Sequence, residues 1–498
     1  MSDLQLKEKA IRGGLAKMCS QAATFLLRIG SLMILGRLLD PRDFGLVGMV
    51  TAVIGVLNLF KDFGLSTATV QRASITEEQL STLFWINILV GAILGFLSLA
   101  SAPAVVAFYH EPRLLAVTAV LAASFLFNAA GVQHAALLQR QMRFVALAVV
   151  DFLSLFVGVA VAVTMALRGY GYWAIVGMTI VPPLVSSICV WVATAWVPGM
   201  PRRGIGLRSM MRFGGTITLN GIVVYIAYNL EKVLLGRFWG ADAIGIYGRA
   251  YQILNIPTDN LNSSVGGVAF SALSRLQDDP GRLRSCFLKC YSMLLALSIP
   301  ITIACAVFAD DIIFVVLGPK WKEAVPIFRL LVPTILAFAM INPFGWLLFS
   351  IGMVGRSLKI AFAITPLVIV GYLIGLPHGP KGVALAYSVA MTLWIIPHIV
   401  WCIQGTGISF TDIMATVSRP LVSGIVAGVL ALGVQISYGH LAPPLLRLVL
   451  GTAILLGAYV GMLFYAMGQK AMYLDLLRGL RKRPVIEDTP ALASVADV

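Results

Sequence analysis

Apolar positions in this chain run unbroken instead of alternating with polar ones. "FWINILVGAILGFLSLASAPAVVAF" from Phe84 and "DFLSLFVGVAVAVTMAL" from Asp151 are representative. At 1.5 Å rise per residue, about 20 such residues cross a hydrocarbon core of roughly 30 Å as an α-helix. Inside that core each backbone N–H and C=O needs a partner within its own segment, and the runs lack the period-two alternation of barrel strands. The pattern predicts an all-α polytopic membrane protein. Apolar windows between polar and Pro/Gly breaks give about 14 spans, centred near Phe25, Val53, Val90, Val120, Phe156, Met178, Val223, Leu254, Leu295, Leu336, Val368, Ala390, Ala427 and Leu455. The eighth, "IGIYGRAYQILNIPTDNLNSSVGGVAF", is the most polar.

Composition agrees: 59% of the 498 residues are hydrophobic and 12% charged, against roughly 25% charged in soluble chains. Charge also orients the chain. Of 37 Lys and Arg, 24 fall on the side of the N-terminus, 9 on the other side and 4 (Arg28, Lys232, Arg249, Arg329) within spans. The positive-inside rule then puts both termini in the cytoplasm. The same bias accounts for the net charge of +15 without a nucleic-acid partner, for which there is no aromatic-interleaved basic motif. The N-terminal segment lacks the pattern of a cleavable signal. The six cysteines show no framework spacing; Cys286 and Cys290, one helical turn apart, read as packing residues and not as a metal pair. No metal or cofactor is expected.

One corner is written twice. "LGRLLDPRDFGLVGM" begins at Leu35 and "LGRFWGADAIGIYGR" at Leu235, 200 positions later. The first straddles spans one and two, the second spans seven and eight. Six spans apart, both corners face the same side, which predicts a parallel duplication of a six-helix unit around a central cavity. A weaker echo joins "FGLSTATVQR" from Phe63 to "GGVAFSALSR" from Gly266. The predicted division is a first bundle over 1–200, a second over 201–410, two additional helices over 411–470 and a disordered cytoplasmic tail over 471–498.

"GRLLDPRDFGLVGM" (from Gly36), "DFGLSTATVQR" (from Asp62) and "VLGPKWKEAVPIFRLL" (from Val316), the last with Gly318, Trp321, Ala324 and Pro326, carry a resemblance. The chain resembles the polysaccharide transporter family of the multidrug/oligosaccharidyl-lipid/polysaccharide flippase superfamily over nearly its whole length. The resemblance implies a monomeric flippase in a bacterial inner membrane. It would move undecaprenyl-diphosphate-linked oligosaccharide units between leaflets for exopolysaccharide, capsule or O-antigen synthesis, beside a polysaccharide polymerase and a chain-length regulator.

The residues that bear on mechanism are polar groups inside spans, because an ion at that depth is costly unless it faces protein or water. Gln21, Thr24, Arg28 and Ser31 share one face of span one. Arg28 is read as a diphosphate ligand, the guanidinium fork donating two parallel hydrogen bonds; the structural alternative is an Arg bonded to a neighbouring helix. In span eight Arg249, Gln252, Asn255, Asp259 and Asn262 form a polar stripe, with Pro257 expected to kink it. Arg249, Gln252, Asn255 and Lys232 are assigned to the substrate cavity. Glu231, Asp259 and Asp62 are assigned to coupling or gating, with Glu231 expected to neutralise Arg249 until protonated. Glu231 and Lys232 pairing with Arg249 and Asp259 as a static network is the competing reading. Tyr225, Tyr228, Tyr247 and Tyr251 cluster near the second corner, where sugar stacking and an interfacial aromatic belt predict the same residues.

Enzymatic signatures are absent from the sequence: the five histidines are scattered and there is no Walker-type lysine, so ATP is not the direct energy source. Two rivals remain open. A multidrug cation antiporter of the same superfamily should carry an acidic residue in the middle of span one or seven, and span one has Arg28 instead. A membrane-embedded glycosyltransferase or polymerase needs a catalytic carboxylate or a large outer loop, and the outer loops here are short.

Overall fold

The computed structural model describes residues 3–61, 66, 69, 75–201, 208–438 and 443–470, with side chains described from Ser20 onward and, in the seventh helix, at Tyr225 and from Tyr228. The segment holding Asp62 and the proposed tail beyond residue 470 lie outside the described residues. Every long element is helical: α1 (Asp3–Leu38), α2 (Pro41–Asn58), α3 (Glu77–Tyr109), α4 (Leu114–Arg140), α5 (Phe144–Leu167) and α6 (Tyr172–Thr194). Arg208–Ser274 is one run broken at Gly240 into α7 (208–239) and α8 (241–274). There follow α9 (Pro280–Val307), α10 (Ala309–Val316), α11 (Ala324–Leu331), α12 (Pro333–Ser350), α13 (Val354–Gly375), α14 (Gly379–Ile403), α15 (Phe410–Tyr438) and α16 (Pro444–Gly461). The span centres named above each fall within one of these helices. Among the described residues, nine stretches are long and apolar enough to cross a membrane, and one of them, Val354–Ile403, contains both α13 and α14.

Local chemistry sets the helix ends. Thr76 and Gln79 form a reciprocal capping box at α3, with both bonds 3.2 Å long. At α2 the Asp43 carboxylate accepts from the Asp40 N–H at 3.2 Å and Pro41 takes the first position, where its missing donor costs nothing. Gly240 has φ 82° and ψ −172°, a backbone that only glycine adopts without strain. Pro257, expected to kink α8, lies inside the helix with no departure from helical backbone angles.

Helices α1 and α5, α3 and α4, α4 and α6, and α5 and α6 pack together; α13 packs on α14, and α15 on α9 and α16. The decisive contact is α2 against the Arg208–Ser274 run. There the backbones touch. A Cβ on Gly45 would lie 1.7 Å from the Ala241 carbonyl oxygen, and one on Gly245 would lie 1.8 Å from the Pro41 carbonyl oxygen. Positions 41 and 45 of one corner and 241 and 245 of the other thus meet reciprocally, in the manner of an isologous interface. One continuous core runs through this contact, including Leu46, Val50, Leu235, Ile244, Leu317, Trp321, Phe328 and Tyr387. A second core joins α9, α12, α14, α15 and α16 around Phe287, Tyr291, Phe344 and Tyr459.

The closure at the corners sets a prediction. Gly45→Ala inserts a methyl group where rigid backbone stands and should cost about 1–3 kcal/mol. Gly30→Ala has nothing within 4 Å and should be neutral or stabilise α1 by up to about 1 kcal/mol. Thermal unfolding of the purified protein distinguishes them. Equal shifts would show that the corners are not in backbone contact.

Candidate functional site

The two corners hold further contacts between the halves of the chain. Buried Trp321 donates its indole N–H to the Gly36 carbonyl at 2.7 Å and meets the Phe44 ring edge-on at 5.5 Å. Arg37 donates to the Val315 carbonyl at 2.8 Å, and Lys320 pairs with Asp40 at 2.8 Å. Tyr225 reaches the carbonyls of Thr51 and Ala52, each at 3.3 Å. Beside this corner, Glu111 accepts from Arg113 at 2.8 Å and faces Arg42 at 3.7 Å. The hydrogen bond from Arg113 holds the Glu111 carboxyl below its ordinary range.

Further from the corners, several polar residues of α1 and α8 are exposed. On α1, Gln21, Arg28 and Leu35 recur every seven residues and so share a face. Gln21 and Arg28 are exposed whereas Ser31 and Leu35, nearer the corner, are buried. On α8, Gln252, Asp259, Asn260 and Ser263 are exposed, while Leu254, Thr258 and Ala269 on the same stretch are buried.

Arg249 lies about one helical turn beyond Gly245 on α8. Its guanidinium carbon is 3.9 Å from the centre of the Phe44 ring, a cation–π contact from α8 onto α2, and it donates to the Gln252 side chain. Glu231 is elsewhere. It is 2% exposed, takes a hydrogen bond from Tyr372, and leaves Oε2 without a hydrogen-bond partner among the described residues. Around it Tyr247 stacks on Tyr251 at 6.2 Å and Tyr372 on Tyr387 at 5.5 Å, joining α7, α8, α13 and α14.

The expected neutralisation of Arg249 by Glu231 is therefore corrected: no ion pair joins them among the described residues. Tyr247 and Tyr251 are each two residues from Arg249, about 200° around α8. Arg249 looks toward α2 and the tyrosines look toward Glu231. The competing static network is also absent there, since Lys232 bonds instead to Asn229 at 2.7 Å. Asp259 is exposed, and Asn255 meets Tyr251. Arg28 makes no hydrogen bond or ion pair with Arg249, Gln252 or Asn255 among the described residues. Sequence reasoning missed Phe44, Tyr372 and Tyr387; the last two sit singly inside apolar runs, where nothing in the pattern marks a partner.

A lone buried carboxyl has a thermodynamic signature. Removing one member of a buried ion pair costs about 3–5 kcal/mol, whereas a neutral isostere of an unpaired carboxyl is easier to bury. Glu231→Gln should unfold within about 1 kcal/mol of the natural chain or later. A loss near the ion-pair range would reveal a cationic partner and reject the tyrosine cage as its environment.

Similarity to known proteins covers this same architecture. Lipopolysaccharide biosynthesis protein WzxC of Escherichia coli (strain K12) is 26% identical over 396 residues, 77% of this chain and 79% of that protein. Teichuronic acid biosynthesis protein TuaB of Bacillus subtilis (strain 168) is 28% identical over 408 residues, 76% and 79%. Among solved structures, the lipid II flippase MurJ in an inward closed conformation has TM-score 0.74 at 14% identity, covering 93% of this chain and all of that one. An inward-facing multidrug resistance MATE transporter has TM-score 0.62 at 13% identity, covering 77% and 94%. At these identities the likeness is one of fold: a multi-span helical membrane protein of the architecture shared by MurJ and MATE. The family model described as polysaccharide biosynthesis protein matches residues 34–326, a stretch that holds both corners, Trp321 and more than half the chain; the chain belongs to that family.

Proposed function

We propose that the protein is a flippase, not an enzyme, that carries undecaprenyl-diphosphate-linked oligosaccharide units across a bacterial inner membrane. The observation that carries this reading is the backbone contact between the two repeated corners, Gly45 on Ala241 and Gly245 on Pro41, in a chain with helices long and apolar enough to cross a membrane. We read the exposed polar residues of α1 and α8 as the walls of a cavity that this contact shuts at one end. The names of WzxC, TuaB and MurJ, and that of the succinoglycan biosynthesis transport protein ExoT of Rhizobium meliloti (strain 1021), point to lipid-linked sugar as the cargo.

In this reading the chain crosses the membrane fourteen times with both termini cytoplasmic. Residues 1–200 and 201–410 are parallel six-helix repeats, 411–470 adds two helices and 471–498 is a cytoplasmic tail. The closed corners face outward. The protein works as a monomer and hands its cargo to a polymerase and a chain-length regulator. Arg28, with Lys232 at the border of the cavity, meets the diphosphate while the polyprenyl tail stays in lipid. Opening the outer end separates α2 from α8, and the guanidinium of Arg249 leaves Phe44 with Gln252 and Asn255 beside it. The charge shed by the ring, worth about 0.5–2 kcal/mol there, is then free for the diphosphate. Glu231 couples the cycle to a proton, because a buried carboxyl without an ion-pair partner is held most easily in its neutral form. Asp259 and Asp62 act as gating groups along the inner half.

Transport in vesicles tests both parts. With a fluorescent lipid-linked oligosaccharide, Arg28→Ala should slow flipping at least tenfold at normal membrane abundance. Arg28→Lys should recover part of the rate, keeping the charge but losing the fork. Full activity of the Ala variant would remove Arg28 from the cavity, and efflux of organic cations without sugar-lipid movement would favour the antiporter instead. Glu231→Gln should bind the sugar-lipid normally and flip it with no dependence on pH. An unchanged pH profile would make the carboxyl structural.

A further inference from the structure

We infer that a phospholipid binds between the last two helices and the second bundle, at the end of the molecule where the corners close. A cavity of about 750 Å³ lies there, lined by Val307, Arg329, Leu432, Gln435, Ile436 and Arg447 among others. These residues come from the ends of α9, α11 and α15 and the beginning of α16. The depth is fixed by α10, which leads from the end of α9 to Val315, the residue that accepts from Arg37 at the first corner. The cavity is thus at headgroup level, behind the second bundle and away from the faces bearing Arg28 and Arg249.

Its chemistry is divided as a lipid is. Val307, Leu432 and Ile436 form an apolar wall, and Leu432 and Ile436 are among the exposed large hydrophobic residues. Arg329, Arg447 and Gln435 supply polar contacts. Both arginines are tied to α10: Arg447 pairs with Asp311, which is 1% exposed, and Arg329 with the open Asp310. Arg329 uses one nitrogen for Asp310 and its side chain is half exposed. A guanidinium carries five N–H donors in a fixed fork, so Arg329 can hold Asp310 and a phosphate oxygen together.

Charge selects the occupant. Two arginines and two aspartates make a neutral cluster, which suits a phosphodiester, and above all a zwitterionic headgroup whose ammonium finds Asp310. A diphosphate brings more negative charge than this cluster offsets. The volume lies within the roughly 300–1,000 Å³ of ordinary ligand sites and accommodates a headgroup with the start of its chains. A lipid seated here would wedge α15 and α16 against α9 and α11. The inference is independent of the transport reading, since it concerns a different surface.

Native mass spectrometry of the delipidated full chain with added dioleoyl phosphatidylethanolamine tests it. One tightly retained lipid is expected. Arg329→Gln, which removes the phosphate donor, and Leu432→Trp, which fills the cavity, should each lower its occupancy at least fivefold with unfolding temperatures unchanged. Asp310→Asn keeps the arginine and should retain lipid phosphate at the natural level or above when phosphatidylglycerol is the probe. Equal retention in Arg329→Gln, Leu432→Trp and the natural chain would overturn the site. So would displacement of the phospholipid by equimolar undecaprenyl diphosphate, which would make the cavity a seat for the cargo lipid. Loss of phosphatidylglycerol in Asp310→Asn would overturn Arg329 as the phosphate ligand.

Discussion

The fold turns on the approach of two backbones at Gly45 and Gly245. In lipid no hydrophobic force drives helices together, because the surrounding tails are as apolar as leucine. Association depends instead on close dispersion contacts and on hydrogen bonds that lipid cannot replace. A Cβ at either glycine would stand under 2 Å from a carbonyl oxygen of the opposite corner, so any other residue would hold the helices apart. That approach brings Gly36 within reach of Trp321, Arg37 within reach of Val315 and Phe44 beneath Arg249.

Arg28, Gln252 and Asp259 are exposed, and a polar group at membrane depth is tolerable only where it faces protein or water. Helix α8 divides its work by azimuth. The side bearing Arg249 addresses α2, while the side bearing Tyr247 and Tyr251 addresses Glu231 and Tyr372. One helix therefore touches both the contact with α2 and the surroundings of the buried carboxyl.

How much of this was legible in the sequence follows from the same distinction. The corners could be read because glycines at matched offsets in two long apolar contexts are a one-dimensional signal. The stripe from Arg249 to Asn262 could be read because helical period fixes which residues share a face. The partner of Glu231 could not. Depth along the membrane put Glu231 and Arg249 at similar levels, but depth says nothing of azimuth between helices, and the intervening turn at Gly240 sets that angle. Tyr372 and Tyr387 were hidden for a related cause: a single hydroxyl in an apolar run gains meaning only when four helices converge on it. Phe44 was in plain view in the first corner, yet an aromatic ring beside a repeated turn gives no sign that a guanidinium lies over it.

The materials of the contact set how firmly it holds. The glycines themselves expose little on parting, but the core that runs through the contact includes Leu46, Val50, Leu235 and Ile244, and each such side chain would cost about 1.5–3 kcal/mol to expose to water. The polar ties beside it are hydrogen bonds to carbonyls from Trp321, Arg37 and Tyr225, one exposed ion pair between Lys320 and Asp40, and the Arg249–Phe44 contact. Each is worth on the order of 1 kcal/mol. Their total is a few kcal/mol, smaller than the apolar contribution. The two glycines therefore act by letting apolar side chains of both corners close on one another, and the polar ties, being directional, fix the register in which they do so.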